Sequence, residues 1–227
     1  MADMKFKFTI QKYQTDAVNS VVRVFIGQPF HNGLKYRMDI GKQKPDVSLF
    51  EDDTAYANRP IELNDIELLE NIQEVQMENN IQQSGTKLAK HLGRCSLDVE
   101  METGTGKTYV YIKTMFELNK HYGWSKFIVV VPSIAIREGV RKSFVTMQDH
   151  FMEHYGKKAR FFVYNSGNLT DIDNFSSSAD LSVMIINVQA FNARGEKARI
   201  IRSEQDSFGS RRPIDVIQAN RPIIILD

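Results

Sequence analysis

Leu97-Asp98-Val99-Glu100-Met101-Glu102-Thr103-Gly104-Thr105-Gly106-Lys107-Thr108 is the stretch whose reading decides the fold. A short apolar-leaning run, Leu97–Glu100, predicts a strand. It leads into a glycine-containing loop that ends in Gly-Lys-Thr, and a helical pattern follows from Tyr109 to about Tyr122. Strand, loop and helix in that order are the context in which such a loop holds phosphate. Glycines let backbone N–H groups close around the anion, because a Cβ would block the turn. The helix beginning at Lys107 aims the positive end of its dipole at the same spot. The expected ligands are therefore Thr103, Gly104, Thr105, Gly106, Lys107 and Thr108. Lys107 would reach the β- and γ-phosphates as the catalytic cation, and the Thr108 hydroxyl would bind Mg²⁺. In the general pattern GxxxxGK[ST] the first glycine would fall at Met101, so the match rests on Gly104–Thr108.

Working outward, the chain alternates. Lys126–Val131 is a continuous apolar run, as a strand buried on both faces should be. Ile134 to about Tyr155 predicts a helix, Ala159–Tyr164 a strand, and Leu181–Ile186 another. Val188–Phe191 predicts a helical turn, Pro213–Ala219 a short helix with proline in its first turn, and Ile223–Leu226 the last strand. Asn165–Asp180, polar and rich in Ser, Asn and Asp, predicts a loop with a short turn, and Asn192–Arg212 an irregular segment. Upstream, Phe6–Thr9 predicts a short extended piece. Gln11 to about Phe25 predicts an amphipathic helix with Ala17, Val18, Val21, Val22 and Phe25 on one face. Asn64 with Glu67 three residues on predicts a capped helix whose apolar face carries Ile66, Leu69, Ile72 and Val75. Between them the pattern fades. Gly33, Gly41, Pro45 and Glu51-Asp52-Asp53 predict a loop-rich surface excursion with a small hairpin, part of an insertion over 27–85. Alternation of β and α with buried strands predicts an α/β fold, a mostly parallel sheet with helices on both faces.

Four further stations bear chemistry. Asp227 ends an apolar strand, the position from which a carboxylate faces the ligand crevice and holds Mg²⁺ beside the phosphates. Gln14, in the pair Tyr13-Gln14, has an amide that can donate to and accept from an adenine edge; a surface glutamine on a helix is the plain alternative. Val131-Pro132-Ser133-Ile134-Ala135-Ile136-Arg137 is a strand end with small and hydroxyl residues at a helix start, able to bind a nucleic-acid phosphate, or else an ordinary turn capped by Ser133. Asn187 and Gln189 sit just past a strand, where they could touch a nucleic-acid strand or simply cap. Trp124 reads as core or rim packing, and Arg211-Arg212 and Lys157-Lys158 as solvated charge or a local phosphate-binding face.

Composition bounds the rest. At 227 residues one large domain is expected, and a net charge of +1 means that any nucleic-acid surface must be local. Cys95 is the sole cysteine, which excludes an internal disulfide and a cysteine metal cage and fits a reducing cytosol. No apolar signal segment follows Met1, and no apolar run is long enough to span a bilayer. The strand ending at Asp227 reads as the edge of a piece cut from a longer protein.

The order of stations resembles the first RecA-like lobe of a superfamily 2 helicase or translocase. Tyr13-Gln14 matches the adenine-reading Q motif, Met101–Thr108 motif I, Val131–Gly139 motif Ia, Asn187–Phe191 the region of motif Ib, and Pro222–Asp227 the start of motif II. The stretches Val99–Tyr111, Phe116–Lys120, Val130–Val140, Met184–Asn192 and Gln218–Pro222 look like the restriction subunit of type III restriction–modification enzymes. The resemblance implies a single RecA-like lobe over 1–227, ending within motif II. It also implies ATP and Mg²⁺ as cofactors, and ATP-driven movement or switching on double-stranded DNA before cleavage. The implied partner is a sequence-recognising methyltransferase (Mod) subunit, and the setting the bacterial cytoplasm. Pro132, Ser133, Arg137, Asn187 and Gln189 would contact DNA, and Lys107 and Asp227 would serve catalysis. Motif II of that family continues past its Asp into a Glu, and a second lobe and a nuclease domain follow. A chain holding only Asp227 of these is expected to bind ATP weakly without appreciable turnover. The alternatives are another superfamily 2 helicase or translocase, or a nucleotide-binding module without motor function.

Overall fold

In a computed structural model of the chain, residues 8–41, 53–90, 93–191 and 200–227 are described. Contacts divide them into two units: Asn32–Arg59 with Trp124–Asp227, and Lys7–His31 with Pro60–Gly123. The readings at Phe6, Pro45, Glu51-Asp52 and Asn192 fall outside the described residues.

The first unit is built on a parallel sheet. Its strands are β3 (Lys126–Val131), β4 (Arg160–Val163), β5 (Ser182–Asn187) and β6 (Ile223–Leu226), in the order β4-β5-β3-β6. Every residue of β3 is buried, which is what its unbroken apolar run demands. Register sets the two faces. Phe161, Val183 and Phe127 stand in line across the sheet, as do Phe162, Met184, Ile128 and Ile224. On the first face lies α4 (Ile134–Tyr155), whose buried Phe144 stacks on Phe161 with ring centroids 5.1 Å apart. On the second, Ile128, Val130, Met184 and Ile186 pack with Leu169, Ile172 and Phe175 and with Val216 and Ile217. The latter groups belong to α5 (Thr170–Ser177, entered through Leu169) and α6 (Pro213–Ala219). The sheet is thus covered on both faces, as expected of an α/β fold.

Two expectations fail here for identifiable reasons. Asn165–Asp180 contains α5 rather than a plain loop. Only Leu169, Ile172 and Phe175 of this polar stretch are apolar and buried, yet their threefold spacing is enough once a sheet face receives them. Arg211 is neither solvated nor part of a phosphate face. Its side chain is 9% exposed, paired bidentately with Asp173 at 2.9 and 2.7 Å, and laid over the Phe208 ring.

The excursion before residue 58 is also more than surface. Its hairpin, β1 (Leu34–Arg37) paired antiparallel with β2 (Thr54–Ala57), buries Ala55 and Ala57. Asn58, 2% exposed, follows it. Its Nδ2 donates to the carbonyls of Lys126 (2.8 Å) and Arg221 (3.1 Å), and its Oδ1 accepts from the N–H groups of Ser125 (2.8 Å) and Lys126 (3.0 Å). Asn220, wholly buried, donates to Ser176 Oγ and the Val216 carbonyl and accepts from the Tyr36 hydroxyl. Trp124 is buried as expected, its Nε1 donating to the Arg59 carbonyl at 3.0 Å.

Lys126 opens β3 with no exposed surface, and its Nζ donates to the Phe175 and Ser178 carbonyls at the end of α5. Burial pushes its ammonium down to about 7 from 10.5, partly opposed by nearby Asp180 and assisted by Arg160. The folded unit therefore holds this proton less tightly than the unfolded chain. Between about pH 7 and pH 10.5 the unfolded state binds more protons, so stability rises as pH rises through that window. The urea midpoint is expected to climb between pH 7 and pH 9.5 by the equivalent of roughly a few kcal/mol. Lys126→Met should flatten that slope whatever its effect at pH 7; an unchanged slope would refute the assignment.

The second unit is helical. It holds α1 (Lys12–Arg23), α2 (Asp65–Glu78) and α3 (Lys107–Tyr122). Val18, Val22 and Phe25 are buried, as the amphipathic reading requires. The Tyr122 hydroxyl donates to the Val22 carbonyl at 2.8 Å, and its ring meets Phe25 edge-on at 6.1 Å. Asn71 of α2 ties to the turn after α1 by donating to the Val24 and Ile26 carbonyls. The capping box is present, with Asn64 accepting from Ile66 and Glu67 N–H while Glu67 accepts from Asn64 N–H. The buried face of α2 runs through Leu68 and Ile72, however, and Ile66 is 69% exposed. Leu97–Glu100 forms no ladder among the described residues, and Val99 is 47% exposed, against the strand expected there. Two apolar residues between carboxylates offer little face to bury, and a strand exists only through its neighbour's hydrogen bonds.

Candidate functional site

The glycine loop has the backbone that its sequence calls for. Gly104 and Gly106 lie at φ +83° and +88°, the left-handed region that side chains avoid. Gly106 is the residue before α3, and the first helical bond runs from Val110 N–H to the Gly106 carbonyl at 3.0 Å. The N–H groups ahead of it are the ones a helix start leaves for an anion. Glu102's carbonyl closes the turn by accepting from Thr105 N–H (3.4 Å) and from Thr105 Oγ1 (2.6 Å). Thr103, Gly104 and Lys107 are exposed, and Thr108 is half-buried on the first turn of α3.

Gln14 comes to this loop directly. Its Nε2 donates to the Thr105 carbonyl at 2.9 Å, and a Cβ built on Gly106 would stand 2.6 Å from that same nitrogen. The neighbouring Tyr13 hydroxyl donates to the same carbonyl at 3.1 Å. Sequence reasoning took Tyr13 only as the flank of Gln14; an aromatic hydroxyl in the first turn of α1 was the available signal. Lys113 of α3 donates to Thr15 Oγ1 at 3.1 Å, and burial lowers its pKa.

The remaining predicted residues lie in the sheet unit, along one edge. Parallel register sets Val131 beside Asn187, and Asp227 N–H donates to the Val130 carbonyl at 3.0 Å. That places Asp227, Pro132, Ser133 and Asn187 at the carboxyl ends of adjacent strands. Ser133 caps α4 by accepting from Ile136 N–H. Gln189 Nε2 donates to the Pro132 carbonyl at 2.8 Å, so it links two strand ends as a cap does. Arg137 donates to Asn187 Oδ1 at 3.2 Å and to Glu138, which also accepts from Arg141 at 3.0 Å. Hydrogen bonds from Arg141 and then Arg137 hold the Glu138 carboxyl below the usual range. Arg141 and Glu138 were not singled out from the sequence.

A mostly parallel sheet sandwiched by helices, with a glycine loop opening a helix in Lys-Thr, defines an α/β protein of the RecA-like P-loop NTPase class. The chain belongs to the family described as "Type III restriction enzyme, res subunit", which it matches over residues 7–227. It is 29% identical over 244 residues to the Res subunit of the type III restriction-modification enzyme EcoP15I of Escherichia coli, covering 97% of this chain and 23% of that protein. It is 34% identical over 156 residues to the StyLTI Res subunit of Salmonella typhimurium, covering 59% of this chain and 15% of the relative. To the EcoPI Res subunit of Escherichia phage P1 it is 28% identical over 241 residues, 97% and 23% of the two chains. The chain thus spans less than a quarter of the length of these relatives. No helix among the described residues is long and apolar enough to cross a membrane.

Proposed function

We propose that this chain is the ATP-binding motor lobe of a type III restriction endonuclease. In this reading it serves DNA translocation or switching before double-strand cleavage. The observation that carries it is the loop at Gly104–Thr108, left-handed at both glycines and opening a long helix. Lys107 reaches the β- and γ-phosphates, Gln14 reads the adenine edge, and Thr108 and Asp227 serve Mg²⁺. When bound, the ion would neutralise phosphate charge. The whole of 1–227 acts as one lobe, with 27–85 as an insertion. The partners are duplex DNA and a methyltransferase subunit, and the setting is the bacterial cytoplasm. Titration with ATP, run beside Lys107→Ala, tests the nucleotide site: equal binding by both proteins would sink it.

The DNA reading rests on the strand-end group Pro132, Ser133, Arg137, Asn187 and Gln189, with the Arg137 guanidinium held in place by Asn187. Neutralising one phosphate contributes about 0.9 to the slope of log affinity against log salt. Arg137→Ala is expected to weaken duplex binding across sequences and lower that slope by about 1. An unchanged slope would remove Arg137 from the DNA surface.

A further inference from the structure

We propose that Tyr13 is a positioning residue for the phosphate loop, acting through the peptide between Thr105 and Gly106. The inference rests on the nucleotide reading above and goes beyond it.

A phosphate loop works only if its N–H groups face the anion and its carbonyls face away, since a carbonyl turned inward repels phosphate. Nothing in a glycine loop enforces that choice. Gly104 and Gly106 are the residues most free to rotate, so the peptide between Thr105 and Gly106 can flip. Here it is held. The Thr105 carbonyl accepts from Gln14 Nε2 (2.9 Å) and from the Tyr13 hydroxyl (3.1 Å), both from the first turn of α1. In a planar trans peptide the N–H points opposite to the C=O. Two donors pulling Thr105 O toward α1 therefore turn Gly106 N–H away from α1. That N–H precedes α3 and belongs to the set available to an anion. On the other side of Thr105, the Glu102 carbonyl takes both its N–H and its hydroxyl. The residue is pinned from both sides while the glycines flanking it keep their left-handed backbone.

The two donors have different further capacity. A glutamine amide has a second N–H and a free carbonyl oxygen, so Gln14 can hold the loop and still address a base. The Tyr13 hydroxyl has one proton, and it is committed to Thr105. Tyr13 is 49% exposed and adds little to the core, so its loss should be felt in the loop rather than in folding. Its effect should also be blind to the base.

The test is Tyr13→Phe, which removes only the hydroxyl. Wild type, Tyr13→Phe and Lys107→Ala are titrated with ATP, GTP and inorganic tripolyphosphate, each with Mg²⁺. Tyr13→Phe is expected to bind all three about 3–10-fold more weakly, in line with one hydrogen bond lost. Its thermal midpoint should stay at the wild-type value. In the unliganded protein, the ¹⁵N–¹H resonance of Gly106 should move. If wild-type binding depends on Lys107 but Tyr13→Phe binds all three ligands normally, the positioning role is overturned and the nucleotide site stands. A loss confined to ATP would make Tyr13 a base contact, and an unmoved Gly106 resonance would show that the peptide is held by other means; either overturns the proposal. If Lys107→Ala binds as wild type does, both the site and its clamp fall.

Discussion

Lys107→Ala is expected to weaken ATP binding by about 10–100-fold. Lys107 is the first residue of α3, exposed, and follows the left-handed Gly106. Its ammonium would meet phosphate oxygens with charge on both partners, and such a bond is worth about 1.5–3 kcal/mol. Alanine keeps the helix, because lysine and alanine are both good helix formers, so the thermal midpoint should hardly move. The loss belongs to the phosphates and not the base, so inorganic tripolyphosphate should suffer as much as ATP. Titration calorimetry with both ligands is the check. Lys107→Arg should not restore full affinity, because a planar fork does not replace a compact point charge. Wild-type affinity in Lys107→Ala would show that the loop does not hold phosphate.

Asn58→Ala is the second large effect, expected in stability: about 3–5 kcal/mol off the sheet unit. The side chain satisfies four backbone groups at once: the carbonyls of Lys126 and Arg221, and the N–H groups of Ser125 and Lys126. Each buried group left without a partner costs about 1–3 kcal/mol, and not all four penalties need be paid in full once the backbone relaxes. Against a typical total of about 5–15 kcal/mol, that is a severe loss. Trp124 is the single tryptophan, buried in the same unit beside Asn58, so its fluorescence reports urea unfolding directly. Asn58→Asp should also destabilise: it keeps the acceptor for the two N–H groups but sets a carboxylate oxygen against the two carbonyls. A midpoint shift worth less than 1 kcal/mol would mean that water replaces the amide.

The contrast between these two residues shows which parts of the molecule could be read from the chain. Lys107 lies in a motif whose meaning is local. Two glycines, a lysine and a threonine in four consecutive places prescribe a turn, a helix start and a charge, and the structure has the turn and the helix start there. Asn58 lies in a stretch read as surface excursion. Its partners stand 67, 68 and 163 residues away, and nothing in its neighbourhood announces them. The same holds for Arg211, whose carboxylate is 38 residues distant, and for Tyr13, 92 residues from the carbonyl that it holds. The helix α5 was missed because three apolar residues in a polar stretch carry too weak a period to read without the sheet face that accepts them. The strand expected at Leu97–Glu100 was over-read, because apolar character was taken for pairing.

Sequence by itself determined the alternation of buried strands and capped helices, the bounds of β3 and α4, the capping box at Asn64 and the loop at Gly104–Thr108. These follow from periodicity, capping and the conformational freedom of glycine, all of which act within a few residues. Only the tertiary structure decided that an asparagine pins a hairpin beneath the sheet, that a buried lysine closes α5, and that two donors of α1 orient one peptide of the glycine loop. Those outcomes depend on buried polar groups finding partners, a requirement that the fold satisfies across long stretches of chain and that no local pattern encodes.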